Sequence, residues 1–192
     1  MSINNHAREL VRHDGLKDVL TGLMSFPAFL DSAIRELKSV ERSGGTSNLF
    51  LISTMERDDA GRMVLSVRSD YELSDRTEEQ IYNLAARVLT ISKNISENLR
   101  ANDLISRYTF ADILILTSGD YVEVKRKLEL IGVALTAKVA GLELHPPHLS
   151  RAVLDSHITH DSLRNQASGQ DLQKRVTHAI STLEHEILTN TK

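Results

Sequence analysis

Apolar residues along the chain fall into two kinds of pattern: long stretches in which they recur every three or four positions, and short unbroken runs. Pro27 stands at the first-turn position of a helix, and Phe26, Phe29, Leu30, Ala33, Ile34, Leu37 and Val40 supply its stripe. Ser43-Gly44-Gly45-Thr46 breaks that pattern. Leu49 to Ile52 predicts a buried strand, Arg57-Asp58-Asp59-Ala60-Gly61 a turn, and Met63 to Val67 a second strand returning alongside the first. The clearest helix carries Ile81, Leu84, Val88, Ile91, Ile95 and Leu99. Ser74 or Asp75 is placed to cap it, with Glu78 completing a capping box with Asp75.

Leu104 to Tyr108 and Ile113 to Leu116 predict a hairpin. Ser118-Gly119-Asp120 closes it and caps a helix bearing Val124, Leu128, Ile131, Leu135 and Val139, which ends near Gly141. Pro146 and Pro147 mark a loop, and an apolar stretch follows around Ala152-Val153-Leu154. A segment rich in Ser, Asn, Gln and Gly then leads to a last helix with Leu172, Val176, Ile180, Leu183 and Ile187. The order predicts an α+β fold, a central and mostly antiparallel sheet flanked by helices. It reads as a single domain over residues 1–192, with 1–17 as a short helical lead-in and no internal repeat.

Composition narrows the chemistry. The absence of cysteine excludes disulfides, thiol catalysis and cysteine-bound zinc. A net charge of −3 gives no general attraction to nucleic acid or to an anionic membrane. No stretch approaches the roughly 20 apolar residues of a membrane span, and the amino terminus lacks a signal-type apolar core. The expectation is a cytoplasmic protein that binds no nucleic acid and inserts in no membrane. His145-Pro-Pro-His148 and His157-Ile-Thr-His160, with Asp155 and Asp161 nearby, have paired spacing. There is no H-E-x-x-H, and zinc needs three or four convergent ligands, so no metal site is expected.

Two segments resemble a known family. Asp18-Val19-Leu20-Thr21-Gly22-Leu23, followed by Phe29-Leu30, is similar to the D-x-L-T-G-L…F signature that opens GGDEF (diguanylate cyclase) domains. Ser25-Phe26 stands where that family has Asn-Arg. The stretch from Arg100 to Leu116 resembles its R-x-x-D-x-x-x-R-x-G-G-D-E-F segment and the strand after it. By order of elements the resemblance spans Asp14 to Ile187. It implies a nucleotide-cyclase-like domain of bacterial cyclic di-GMP signalling, with Arg107 pairing a carboxylate near the turn.

The resemblance also marks what is missing. In the family the turn's glycines let the backbone approach nucleotide, and an acid at the third position helps hold divalent metal. Here Thr109, Phe110, Ala111, Asp112 and Ile113 fill the turn, so both glycines and that acid are gone. Ser53, Thr54 and Met55 stand where the first strand should end in a second metal-binding acid. No counterpart of the family's F-K-x-x-N-D lies between Met55 and Leu73, and Glu184 falls where a closing-helix lysine is usual. Without metal ligands the main electrostatic stabilisation of phosphoryl-type transfer is absent. The expectation is no catalytic residue, no cofactor and no enzyme.

Arg100 and Asp103 match the family's R-x-x-D, where many cyclases bind their product for inhibition. An arginine forks onto a guanine edge or phosphate, and an aspartate accepts from guanine nitrogens. Lys125, Arg126 or Lys127 on the next helix offers a second basic contact. Two readings stay open: a cyclic di-GMP receptor, or an ordinary surface ion pair beside a solvated basic face. The alternative function is a protein-interaction module that binds no nucleotide and works through another chain or by self-association.

Overall fold

A computed structural model describes residues 14–67, 69–118, 120–138, 148–155 and 169–190. The helices are α1 (Phe26–Ser43), α2 (Asp70–Ser74), α3 (Glu78–Asn98), α4 (Tyr121–Lys138) and α5 (Gly169–Asn190). The strands are β1 (Thr46–Ser53), β2 (Met55–Arg57), β3 (Met63–Leu65), β4 (Leu104–Arg107), β5 (Asp112–Thr117) and β6 (His148–Asp155). Of the helical lead-in expected over 1–17, residues 1–13 lie outside the described residues, and Asp14 to Lys17 are not helical, Lys17 forming an isolated antiparallel bridge with Met24. Val139, Gly141, the loop at Pro146 and Pro147, and the polar segment 156–168 also lie outside the described residues.

Local chemistry sets the ends of α1. Ser25 caps it, its hydroxyl accepting from the Ala28 amide, and Pro27 sits in the first turn as expected. At the other end Gly44 adopts φ 70°, a left-handed backbone that glycine enters without a Cβ penalty.

Four strands form one sheet in the order β4-β5-β1-β6, with every neighbouring pair antiparallel. Leu49 lies opposite Leu116 and Leu51 opposite Leu114, and this face meets the stripes of α1 and α5. Phe50 opposite Ile115 and Ile52 opposite Ile113 form the other face, covered by Ile91 and Ile95 of α3 and by Val124, Leu128, Ile131 and Leu135 of α4. Helices on both faces are the reason these strands read as unbroken apolar runs; a sheet with one wet face would alternate. A third cluster packs Ile81, Leu84, Ala85 and Val88 of α3 with Val67, Leu73, Phe110 and Ala111.

Two expectations are corrected. Met63–Leu65 does not return alongside Leu49–Ile52; it pairs with Met55–Arg57 in a separate two-stranded ribbon. The turn between them is the one expected, Gly61 at φ 76° and the Asp58 carboxylate accepting from the Arg62 amide. β1 has no free side for β3, since β5 and β6 already flank it. The cap of α3 is Thr77, in a reciprocal box with Gln80, and not Ser74 or Asp75. Those two residues finish α2, which has its own box between Ser69 and Glu72.

The loop before α1 is tied to the sheet by charge. Asp18 and Arg107 form an ion pair with side chains only 6% and 3% exposed. The Asp18 carboxylate also accepts from the Thr21 amide at 2.8 Å and the Thr21 hydroxyl at 2.6 Å. Arg107 is the last residue of β4, so the pair joins the two segments singled out in the sequence. Breaking a buried pair from one side is costly, because the remaining charge stays desolvated. Asp18→Ala is expected to lower stability by about 3–5 kcal/mol, read as a lower urea midpoint with an unchanged slope.

Candidate ligand-binding site

The turn between β4 and β5 is closed by the Tyr108 amide, which donates to the Asp112 carbonyl at 2.8 Å. Thr109 shapes it from within: its hydroxyl accepts from the Ala111 amide at 3.3 Å and the Asp112 amide at 3.2 Å. Such short side-chain bonds let a hydroxyl stand in for backbone at a tight turn. Phe110 is 2% exposed, Ala111 1% and Asp112 0%. The phenyl ring therefore faces the protein, in the cluster under α3, and the Arg107 guanidinium lies 5.6 Å from its centre. Ile113 is core.

Asp112 is the one carboxylate of the turn, and both its oxygens are engaged by hydroxyls. Ser53 donates to Oδ1 at 2.6 Å, and Thr109 donates to Oδ2 at 2.8 Å. Ser53 is the register partner of Asp112 across β1 and β5. The residue read in the sequence only as a replaced metal ligand is thus a donor to the carboxylate next door. Among the described residues no group of three or more histidine or acidic side chains is arranged to hold a metal ion. His148 and Asp155 are the two ends of β6, whereas His145, His157, His160 and Asp161 lie outside the described residues.

Arg100 and Asp103 sit in the connection between α3 and β4, past the Leu99 cap. They do not pair side chain to side chain. The Asp103 carboxylate instead accepts from the Arg100 backbone amide at 2.9 Å, and the Asp103 amide donates to the Arg100 carbonyl at 3.0 Å. One carboxylate oxygen thus fixes the bend and the guanidinium is left to reach elsewhere.

It reaches Glu123, on the first turn of α4, at 2.9 Å. Lys127, one turn further along, meets the other oxygen of the same carboxylate at 3.1 Å. The Lys127 hydrogen bond, and next the positive charge of Arg100, hold the Glu123 carboxyl below its ordinary range, so it is ionised at neutral pH. The sequence reading missed Glu123; its only signal was the i, i+4 spacing to Lys127. Of the other two basic candidates on α4, Lys125 pairs with Glu129 at 3.6 Å, and Arg126 is exposed. Lys127 is the one that the fold brings to Arg100.

The hydroxyl pair around Asp112 gives a direct test. Ser53→Ala removes a buried donor to a charged acceptor, which costs about 1.5–3 kcal/mol. The loss is expected in urea unfolding, and Ser53→Thr, which restores a hydroxyl, is expected to recover part of it.

No family model and no curated protein matches the chain. Solved structures do. The GGDEF domain of DgcB from Caulobacter crescentus, in complex with c-di-GMP, is 16% identical, with 85% of this chain and 90% of that one covered at a TM-score of 0.53. A sensory box/GGDEF family protein from Caulobacter crescentus is 15% identical, with 88% and 98% covered at 0.54. The FimX GGDEF domain from Pseudomonas aeruginosa is 18% identical, with 88% and 94% covered at 0.52. Identities this low speak for the backbone and not for the chemistry. Arg107 on Asp18, a hairpin turn capped by its own side chains and an antiparallel sheet between two layers of helices sit on a shared scaffold: the chain has the fold of the GGDEF domains.

Proposed function

We propose that this protein binds cyclic di-GMP through Arg100 and Asp103 and does not synthesise it. The observation that carries the first half is the placement of that pair. Arg100 is exposed beside Lys127, in a connection bent by the Asp103 carboxylate, and its guanidinium suits a phosphate or a guanine edge. The DgcB GGDEF domain, on the same scaffold, is itself a complex with c-di-GMP.

The second half rests on the turn. A cyclase must hold divalent metal against a triphosphate with carboxylate oxygens. Ala111 offers none, and Asp112 is fully buried with both oxygens taken by Ser53 and Thr109. Phe110 fills the space under α3 that a glycine would leave open. Chemistry is therefore assigned no residue, and signalling passes through ligand binding and a further protein surface. A nucleotide-independent interaction module remains the second reading, favoured by Val122 and Leu130, 68% and 56% exposed on α4.

Titration calorimetry with cyclic di-GMP is expected to give micromolar or tighter binding. Arg100→Ala and Asp103→Asn should each weaken it at least about tenfold, or about 1.4 kcal/mol; the asparagine keeps an acceptor for the Arg100 amide. Ligand at about 100 times its dissociation constant should stabilise the fold by about 2.7 kcal/mol. GTP with magnesium or manganese should give no cyclised product. Absence of binding heat would remove the receptor reading, and detection of product would remove the other half.

A further inference from the structure

We infer that Glu123 is a built-in competitor for the anion seat formed by Arg100 and Lys127, so that a phosphodiester enters only by displacing its carboxylate. The inference rests on the receptor reading above and names how that site is set.

A carboxylate carries one negative charge spread over two acceptor oxygens, and so does a phosphodiester on its two non-bridging oxygens. Glu123 presents Oε2 to the Arg100 guanidinium at 2.9 Å and Oε1 to the Lys127 ammonium at 3.1 Å. The two cations come from different elements, the α3–β4 connection and α4, and the carboxylate is the group they share. Arg100 is consequently not an open hand: the geometry that would receive phosphate is already assembled around an internal anion. The seat itself is open to solvent, with side-chain exposures of 56% at Arg100 and 37% at Glu123. A pair this exposed is weakly held, so a ligand with further contacts can replace it. The carboxylate would set a threshold rather than a block, keeping the site closed to stray monoanions and admitting a ligand that also engages Asp103.

Glu123 has a separate tie to its own helix through its backbone, the amide donating to the Asp120 carboxylate at 3.0 Å. Its side chain can therefore be changed without removing the cap of α4. The test is calorimetry with cyclic di-GMP on the wild type, Glu123→Gln and the double variant Glu123→Gln/Arg100→Ala, with thermal unfolding of each unliganded protein as a control. Glu123→Gln is expected to bind about two- to fivefold more tightly than wild type, and the double variant to lose that gain. Equal or weaker binding by Glu123→Gln, alongside a wild type that binds, overturns the inference and leaves the receptor reading standing; Glu123 would then be a clamp that holds Arg100 in place. No binding by either protein overturns both.

Discussion

The position of the hairpin turn depends on a charge pair sealed inside the protein. Asp18 comes from the loop before α1 and Arg107 from the end of β4, and each is almost wholly removed from water. Such a pair repays its desolvation only when the surrounding bonds are made. On the carboxylate side they are, Thr21 holding it by amide and hydroxyl, while Phe110 lies against the guanidinium. The same loop runs along the sheet edge, where the Met24 amide donates to the Ile105 carbonyl at 3.1 Å. Loop, edge strand and turn are therefore tied to one another.

That unit divides the molecule's polar chemistry in two. Inside the turn the groups satisfy one another: Asp112 is consumed by two hydroxyls, and Phe110 and Ala111 belong to the packing beneath α3. At the outer end of α3 the groups remain in solvent, and Arg100, Glu123 and Lys127 form a chain of alternating charge between a loop and a helix. Buried polar groups that are fully paired stabilise a fold and offer little to a ligand. Exposed charges held only by one another are replaceable, and under the proposed function it is these that an arriving anion would rearrange.

Much of the fold was legible because helix stripes and buried strands have different periods. Phe29, Ala33, Leu37 and Val40 all face the core, as do Leu172, Val176, Ile180, Leu183 and Ile187. The hairpin stood out because two apolar runs, Leu104 to Tyr108 and Ile113 to Leu116, lie only a few residues apart, and they do pair. Pairing was less legible. Nothing in Met63–Val67 says which strand it joins, since that depends on β1 being flanked on both sides already. Two box-like signals lay within a few residues at the start of α3, Asp75 with Glu78 and Thr77 with Gln80, and tertiary placement chose the second. At the site, Ser53 and Asp112 are 59 residues apart, and their bond exists only because the sheet sets them in register. Glu123 carried no motif at all; only the approach of α4 to the end of α3 gives it a role.

The inward phenyl ring has a consequence for anyone who would rebuild a synthetic turn on this scaffold. Glycine at position 110 would return backbone freedom but would leave a void beneath Ile81, Leu84 and Val88, where the ring now fills the space. Larger side chains on α3 would have to accompany it, and the Arg107 guanidinium would lose the surface it rests on. Backbone freedom at this hairpin and packing beneath it are both set by the residue at position 110, so neither can be redesigned alone.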